Sequence, residues 1–116
     1  MTGRPIDPAE LPETVPRFLA AHRVRDTPTA LALFTPDATV TDDGAVHTGG
    51  ADIARWLDRA ASEYTYTTEL TGARHEGGDR WMATHHLEGD FPGGQVDLHF
   101  RFTLDGGLIS GLTIEP

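Results

Sequence analysis

No cysteine occurs among the 116 residues. Disulfides, thiolate nucleophiles and cysteine-ligated zinc are therefore excluded, and the chain suits a reducing cytoplasm. Positive charge is scarce: 9 Lys and Arg face 18 Asp and Glu, for a formal net charge of -9. Such a chain repels nucleic-acid phosphates and anionic membranes, so neither is expected as a partner. Apolar runs reach only a few residues, against the ~20 needed to cross a bilayer. The N-terminal stretch has Pro5, Pro8 and Pro12 among charges and no apolar h-region, so it is not expected to be a signal peptide. Repeats and low-complexity tracts are missing. Gly49-Gly50 lacks the lysine and serine of a phosphate-cradling loop.

What is present fits one domain. The length is too short for two, and 38% hydrophobic content suffices for a single core. Residues 1–11 are expected to form a partly ordered lead-in and residues 12–116 the domain. Val15, Phe18, Leu19 and His22 recur at i, i+3, i+4 and i+7, one face of a helix. Asp26 and Thr27 before Pro28 form a cap with proline in the first turn, so a short helix is expected through Leu31 and Phe34, stopping before Pro36. Ile53, Trp56, Leu57, Ala60 and Ala61 mark a third amphipathic helix.

Elsewhere the apolar period is 2. Ala38 to Asp42 is rich in β-branched residues, Asp43-Gly44 signals a turn, and Ala45 to Thr48 can return as a partner strand. Thr65 to Glu76 predicts a long strand. Trp81, Ala83, His85, Leu87 and Phe91 then share one face, as do Val96, Leu98, Phe100, Phe102 and Leu104 in the next strand. Asp105-Gly106 signals a hairpin, and Leu108 to Ile114 closes the sheet. Helices followed by a meander of long strands predict an α+β fold with three helices on one face of an antiparallel sheet. A sheet of such strands must twist and bend, opening a concave apolar pocket for a small molecule.

The run from Ala30 to Asp42 (ALALFTPDATVTD), the segment Gly49 to Trp56 (GGADIARW) and the ending Val96 to Ile109 (VDLHFRFTLDGGLI) resemble the nuclear-transport-factor-2-like superfamily, and within it the SnoaL-like branch. The resemblance implies a cystatin-like, cone-shaped roll around an apolar pocket. The superfamily holds polyketide cyclases, ketosteroid isomerase, scytalone dehydratase, limonene epoxide hydrolase and non-enzymatic binders, so fold alone does not decide function.

Asp42 matches the stretch that ends in the general base of ketosteroid isomerase. In an apolar cavity, desolvation favours its neutral form and brings it toward useful acid–base range. The competing role is structural, with Asp42 and Asp43 building the turn before Gly44. His85 falls on the apolar face and is the second catalytic candidate; its competing role is a satisfied core histidine. Phe18 and Leu98 stand where ketosteroid isomerase carries its two oxyanion donors, which argues against steroid isomerisation by that mechanism. The Asp-Arg-Asp set of an epoxide hydrolase is not assembled either, because Asp97 and Arg101 face away from Leu98 and Phe100. Phe18, His22, Trp56, Tyr64, Trp81, Leu87, Leu98 and Phe100 are the expected pocket lining. A metal site from His86, His99 and Asp97 has no further support; no metal and no cofactor is expected. The outer sheet face, with His86, Glu88, Asp90, Asp97, His99 and Arg101, is implied by the resemblance to form a homodimer. Two functions remain open. One is a cofactor-independent isomerase, cyclase or dehydratase acting on an apolar carbonyl or polyketide-like compound. The other is a non-catalytic ligand-binding or scaffold module.

Overall fold

The computed structural model describes residues 3–62 and 66–116. Three α-helices, α1 (Thr14–Arg23), α2 (Thr27–Leu31) and α3 (Gly50–Ser62), pack on a seven-stranded sheet. The strands are β1 (Arg4–Ile6), β2 (Phe34–Asp42), β3 (Ala45–Thr48), β4 (Tyr66–Gly77), β5 (Arg80–Gly89), β6 (Gln95–Asp105) and β7 (Leu108–Glu115). Their order across the sheet is β1-β4-β5-β6-β7-β2-β3. Neighbours run antiparallel except β2 and β7, which are parallel. The α+β architecture expected from the periodicities is the observed one.

The helices bury the faces that their spacing dictates. Val15, Phe18 and Ala21 of α1 are buried, with Leu19 packed against them. So are Ile53, Trp56 and Leu57 of α3, whereas the side chains of Ala60 and Ala61 lie outside the described residues. Asp26 caps α2 by accepting from the Thr29 amide at 3.3 Å. Phe18 sits at the centre of the core, edge-on to Phe34 at 5.5 Å and to Phe102 at 5.8 Å. Burying an aromatic side chain completely contributes on the order of 3 kcal/mol.

One element differs from expectation. Phe34 belongs to β2, not to the second helix, and Pro36 lies within the same strand. The β2–β7 register shifts between Phe34 and Thr39, and this irregularity accommodates a proline that has no amide to offer the ladder. The lead-in also carries structure: Arg4–Ile6 pairs with Ala73–His75 at the sheet edge, and an Asp7-capped 3-10 turn over Pro8–Glu10 leads to buried Leu11. Proline at the first positions of such a turn costs no hydrogen bond, so the proline-rich composition is compatible with order.

The two sheet faces separate by chemistry. Ala83, Phe100, Phe102 and Leu104 face the helices and the core. On the other face Arg101 donates to Glu76 at 2.8 Å and to Glu115 at 3.2 Å. His86 lies between Asp97 at 2.7 Å and Glu88 at 2.9 Å, and Thr84 meets His99 at 2.9 Å.

Candidate functional site

A cavity of about 550 Å³ opens between α1, α3 and the inner face of the sheet. One wall is apolar, built from Leu87, Val96, Leu98, Phe100 and Ile114. The other is polar, with His22, Asp42, His47, Trp56 and Tyr66, while Asp43 and Arg59 stand exposed at the rim.

Asp42 ends β2, paired to Ala45 on one side and to Ile114 on the other. The reversal after it is made by Asp43 and Gly44, both at positive φ (53° and 81°), the geometry that favours Asp-Gly in two-residue hairpins. The Asp42 carboxylate is thus free of the turn. It reaches across to α3, where the buried Trp56 indole Nε1–H donates to Oδ2 at 2.9 Å.

His22, one turn beyond Phe18 on α1, stacks with two rings. Phe18 stacks on it at 5.6 Å with planes 9° apart, and Trp56 at 5.8 Å with planes 12° apart. Burial pushes the His22 imidazole below its ordinary pKa, and the nearby Asp42 carboxylate partly opposes this. Burial likewise raises the Tyr66 phenol; Arg25 pulls it back and Asp42 adds to the rise. At neutral pH the cavity therefore presents a neutral imidazole and a protonated phenol beside Asp42.

His85 is buried on the inner face, 8% exposed, with Phe100 edge-on at 5.2 Å. Its Nδ1 has no hydrogen-bond partner among the described residues. Burial lowers its pKa, and the neighbouring His22 lowers it further. It does not reach the cavity surface, which is formed there by Leu87, Leu98 and Phe100. Of the two catalytic candidates, Asp42 thus lines the cavity and His85 does not, and His22 is coupled electrostatically to both.

Of the remaining expected lining residues, His22, Trp56, Leu87, Leu98 and Phe100 border the cavity. Phe18 does not, because it is fully enclosed by Phe34, Phe102 and His22. Trp81 does not either: it lies toward the far end of β5 and stacks on His75 at 4.0 Å. Tyr64 lies outside the described residues. Tyr66 and His47 are members of the wall that sequence reasoning missed. Tyr66 shares the face of Leu87 and His85, but counting back to it from Trp81 crosses two register shifts in the β4–β5 pair. His47 follows Asp42 across the hairpin and carried an alternation signal only four residues long. Among the described residues, no group of three or more His, Asp or Glu is placed to hold a metal ion.

Comparison with known proteins gives this geometry a family. Residues 15–112 match the model of the SnoaL-like domain. The chain belongs to the SnoaL-like family. A Sinorhizobium meliloti structure, provisionally described as a polyketide cyclase, is similar to this SnoaL-like chain at 33% identity and a TM-score of 0.86, covering 95% of this chain and 100% of that one. A Catenulispora acidiphila protein with a ketosteroid isomerase-like fold, crystallised with trimethylamine, is 23% identical with a TM-score of 0.77, over 90% of this chain and 85% of that one. A cystatin-fold protein of Novosphingobium aromaticivorans is 19% identical with a TM-score of 0.75, over 90% and 96%. These last two likenesses establish the fold alone. A search of curated proteins finds no match. No helix among the described residues is long and apolar enough to cross a membrane.

Proposed function

We propose that this SnoaL-like protein is a cofactor-independent isomerase, cyclase or dehydratase, acting on an apolar carbonyl compound of polyketide type with Asp42 as general base and acid. The observation that carries the proposal is the hydrogen bond from Trp56 to Asp42 Oδ2. It holds the carboxylate at the cavity wall and leaves Oδ1 for a ligand. The facing wall of Leu87, Leu98, Phe100 and Ile114 suits an apolar carbon skeleton. The similarity to the Sinorhizobium meliloti protein supports a polyketide-like ligand. In the chemical step, Asp42 Oδ1 takes a proton from the carbon next to the carbonyl. The C–H electron pair becomes the enolate double bond and the carbonyl π pair moves onto oxygen; Asp42 then returns the proton to carbon or passes it to a leaving hydroxyl. The outer sheet face is proposed to pair two copies, and sedimentation at micromolar concentration should then give twice the monomer mass.

The test is proton exchange into 2-tetralone in deuterated water, followed by NMR. Asp42→Asn should slow exchange about a hundredfold or more, with ligand affinity and thermal stability nearly unchanged. Exchange that is equally fast in the variant removes Asp42 from the chemistry. In that case the Trp56–Asp42 bond is structural, and the protein is a binding module.

A further inference from the structure

The cavity has a base in Asp42, but Phe18 and Leu98 can donate nothing to a ligand oxygen. An enolate forming in an apolar space needs a donor aimed at it, and such donors commonly supply a large part of catalysis. His22 meets the requirement by geometry. Two rings stack with it, Phe18 at 5.6 Å and Trp56 at 5.8 Å, with planes within 12° of parallel. These contacts fix the plane of the ring, whose edge carries both nitrogens, and His22 borders the cavity that Asp42 also lines. No hydrogen bond engages the His22 ring among the described residues, and the residue faces the cavity.

We propose that His22 is the hydrogen-bond donor to the ligand's carbonyl oxygen, set beside the carboxylate that takes the proton; this rests on the role of Asp42 proposed above. The imidazole N–H donates as charge builds on oxygen and keeps its proton, so the proton moves only between carbon and Asp42. The stacked rings remove the freedom that would otherwise be lost on binding. His85 is coupled to His22 electrostatically. Burial lowers the pKa of both imidazoles, and His22 lowers that of His85 further, so at neutral pH both stay neutral and His22 keeps an N–H to donate. Tyr66 is the competing donor on the same wall, but no contact comparable to the two ring stacks orients its phenol among the described residues.

The experiment compares two ligands of one shape, 2-acetylnaphthalene and the oxygen-free 2-isopropylnaphthalene, by tryptophan fluorescence titration. His22→Phe preserves the ring stack and removes the donor. It should weaken the ketone about tenfold, the effect of one hydrogen bond, and leave the hydrocarbon within about twofold. His22→Gln, which restores an N–H, should regain most of the loss, and Tyr66→Phe should leave the ketone's advantage intact. In the wild type, the ¹⁵N signal of the His22 ring should move with the ketone and not with the hydrocarbon. Equal effects on both ligands, no effect on either, or an oxygen-specific loss in Tyr66→Phe instead would overturn the assignment. So would failure of both ligands to bind. Failure of the role of Asp42 shows elsewhere, as 2-tetralone exchange that is absent or indifferent to Asp42→Asn, and leaves the ketone-specific contact to His22 standing.

Discussion

His85 and His86 are consecutive on β5, yet the protein drives their protonation in opposite directions. His85 points inward among Leu87, Leu98 and Phe100, where burial first and His22 second push its pKa down. His86 points outward, where hydrogen bonds to Asp97 and then Glu88 push its pKa up. The sheet is one residue thick, and its period of 2 places adjacent side chains in different dielectrics. The inner face thus makes neutral polar groups in an apolar space, which is what acid–base chemistry needs. The outer face makes charged pairs in water, which contribute little to stability.

Breaking the inner face should have the largest effect. Phe18→Ala removes the ring on which Phe34, Phe102 and His22 converge and should cost about 3–5 kcal/mol in urea unfolding. A loss below about 1 kcal/mol would mean that the core collapses around the gap and that the inner face is less tightly specified than its contacts imply.

Titration sharpens the comparison. A buried His85 with a lowered pKa adds stability above the ordinary value of about 6.5 and loses it as pH falls, because the unfolded chain binds the proton first. His85→Leu should flatten the fall in melting temperature between about pH 7 and pH 5, relative to wild type. It also removes the unpartnered Nδ1, so stability at neutral pH should not drop. A steeper acid decline in this variant would reverse the assignment of the two faces.

His86 carries the opposite sign and the smallest effect. With its folded pKa raised, its contribution is fully present below about pH 6.5 and is lost as pH rises through the folded value. His86→Gln should therefore lower the melting temperature in acid and leave it unchanged at about pH 8, and the difference should shrink in high salt. A loss that is equal at both pH values would mean that His86 acts by packing.

The same contrast explains what was legible in the sequence. β6 alternates without interruption from Val96 to Leu104, and its inner and outer residues could be separated from the pattern alone. Asp42 could be found because it stands beside an Asp-Gly turn at the end of a β-branched run. The position of the cavity along the cone could not. Phe18 and His22 lie on one helical stripe, so periodicity ranks them equally, and only the depth at which α1 crosses the sheet makes one core and the other wall. Trp81 and Leu87 share a strand face in the same way, at opposite ends. Tyr66 was hidden by the two register shifts of β4, and the first residues of β2 by Pro36, which reads locally as a stop.

The parallel seam between β2 and β7 governs how the protein folds as well as its final shape. It sets Asp42 beside Ile114, residues that are about seventy positions apart. The hairpins β4–β5, β5–β6 and β6–β7 can each zip from a nearby turn, but this seam must close a long loop before it gains any contact. It is therefore expected among the last parts of the molecule to form. The carboxylate is placed, and the cavity gains its Ile114 wall, only at that step. Chains caught before it would contain most of their strands and have no assembled site, so recovery of ligand binding should lag behind recovery of β-structure during refolding.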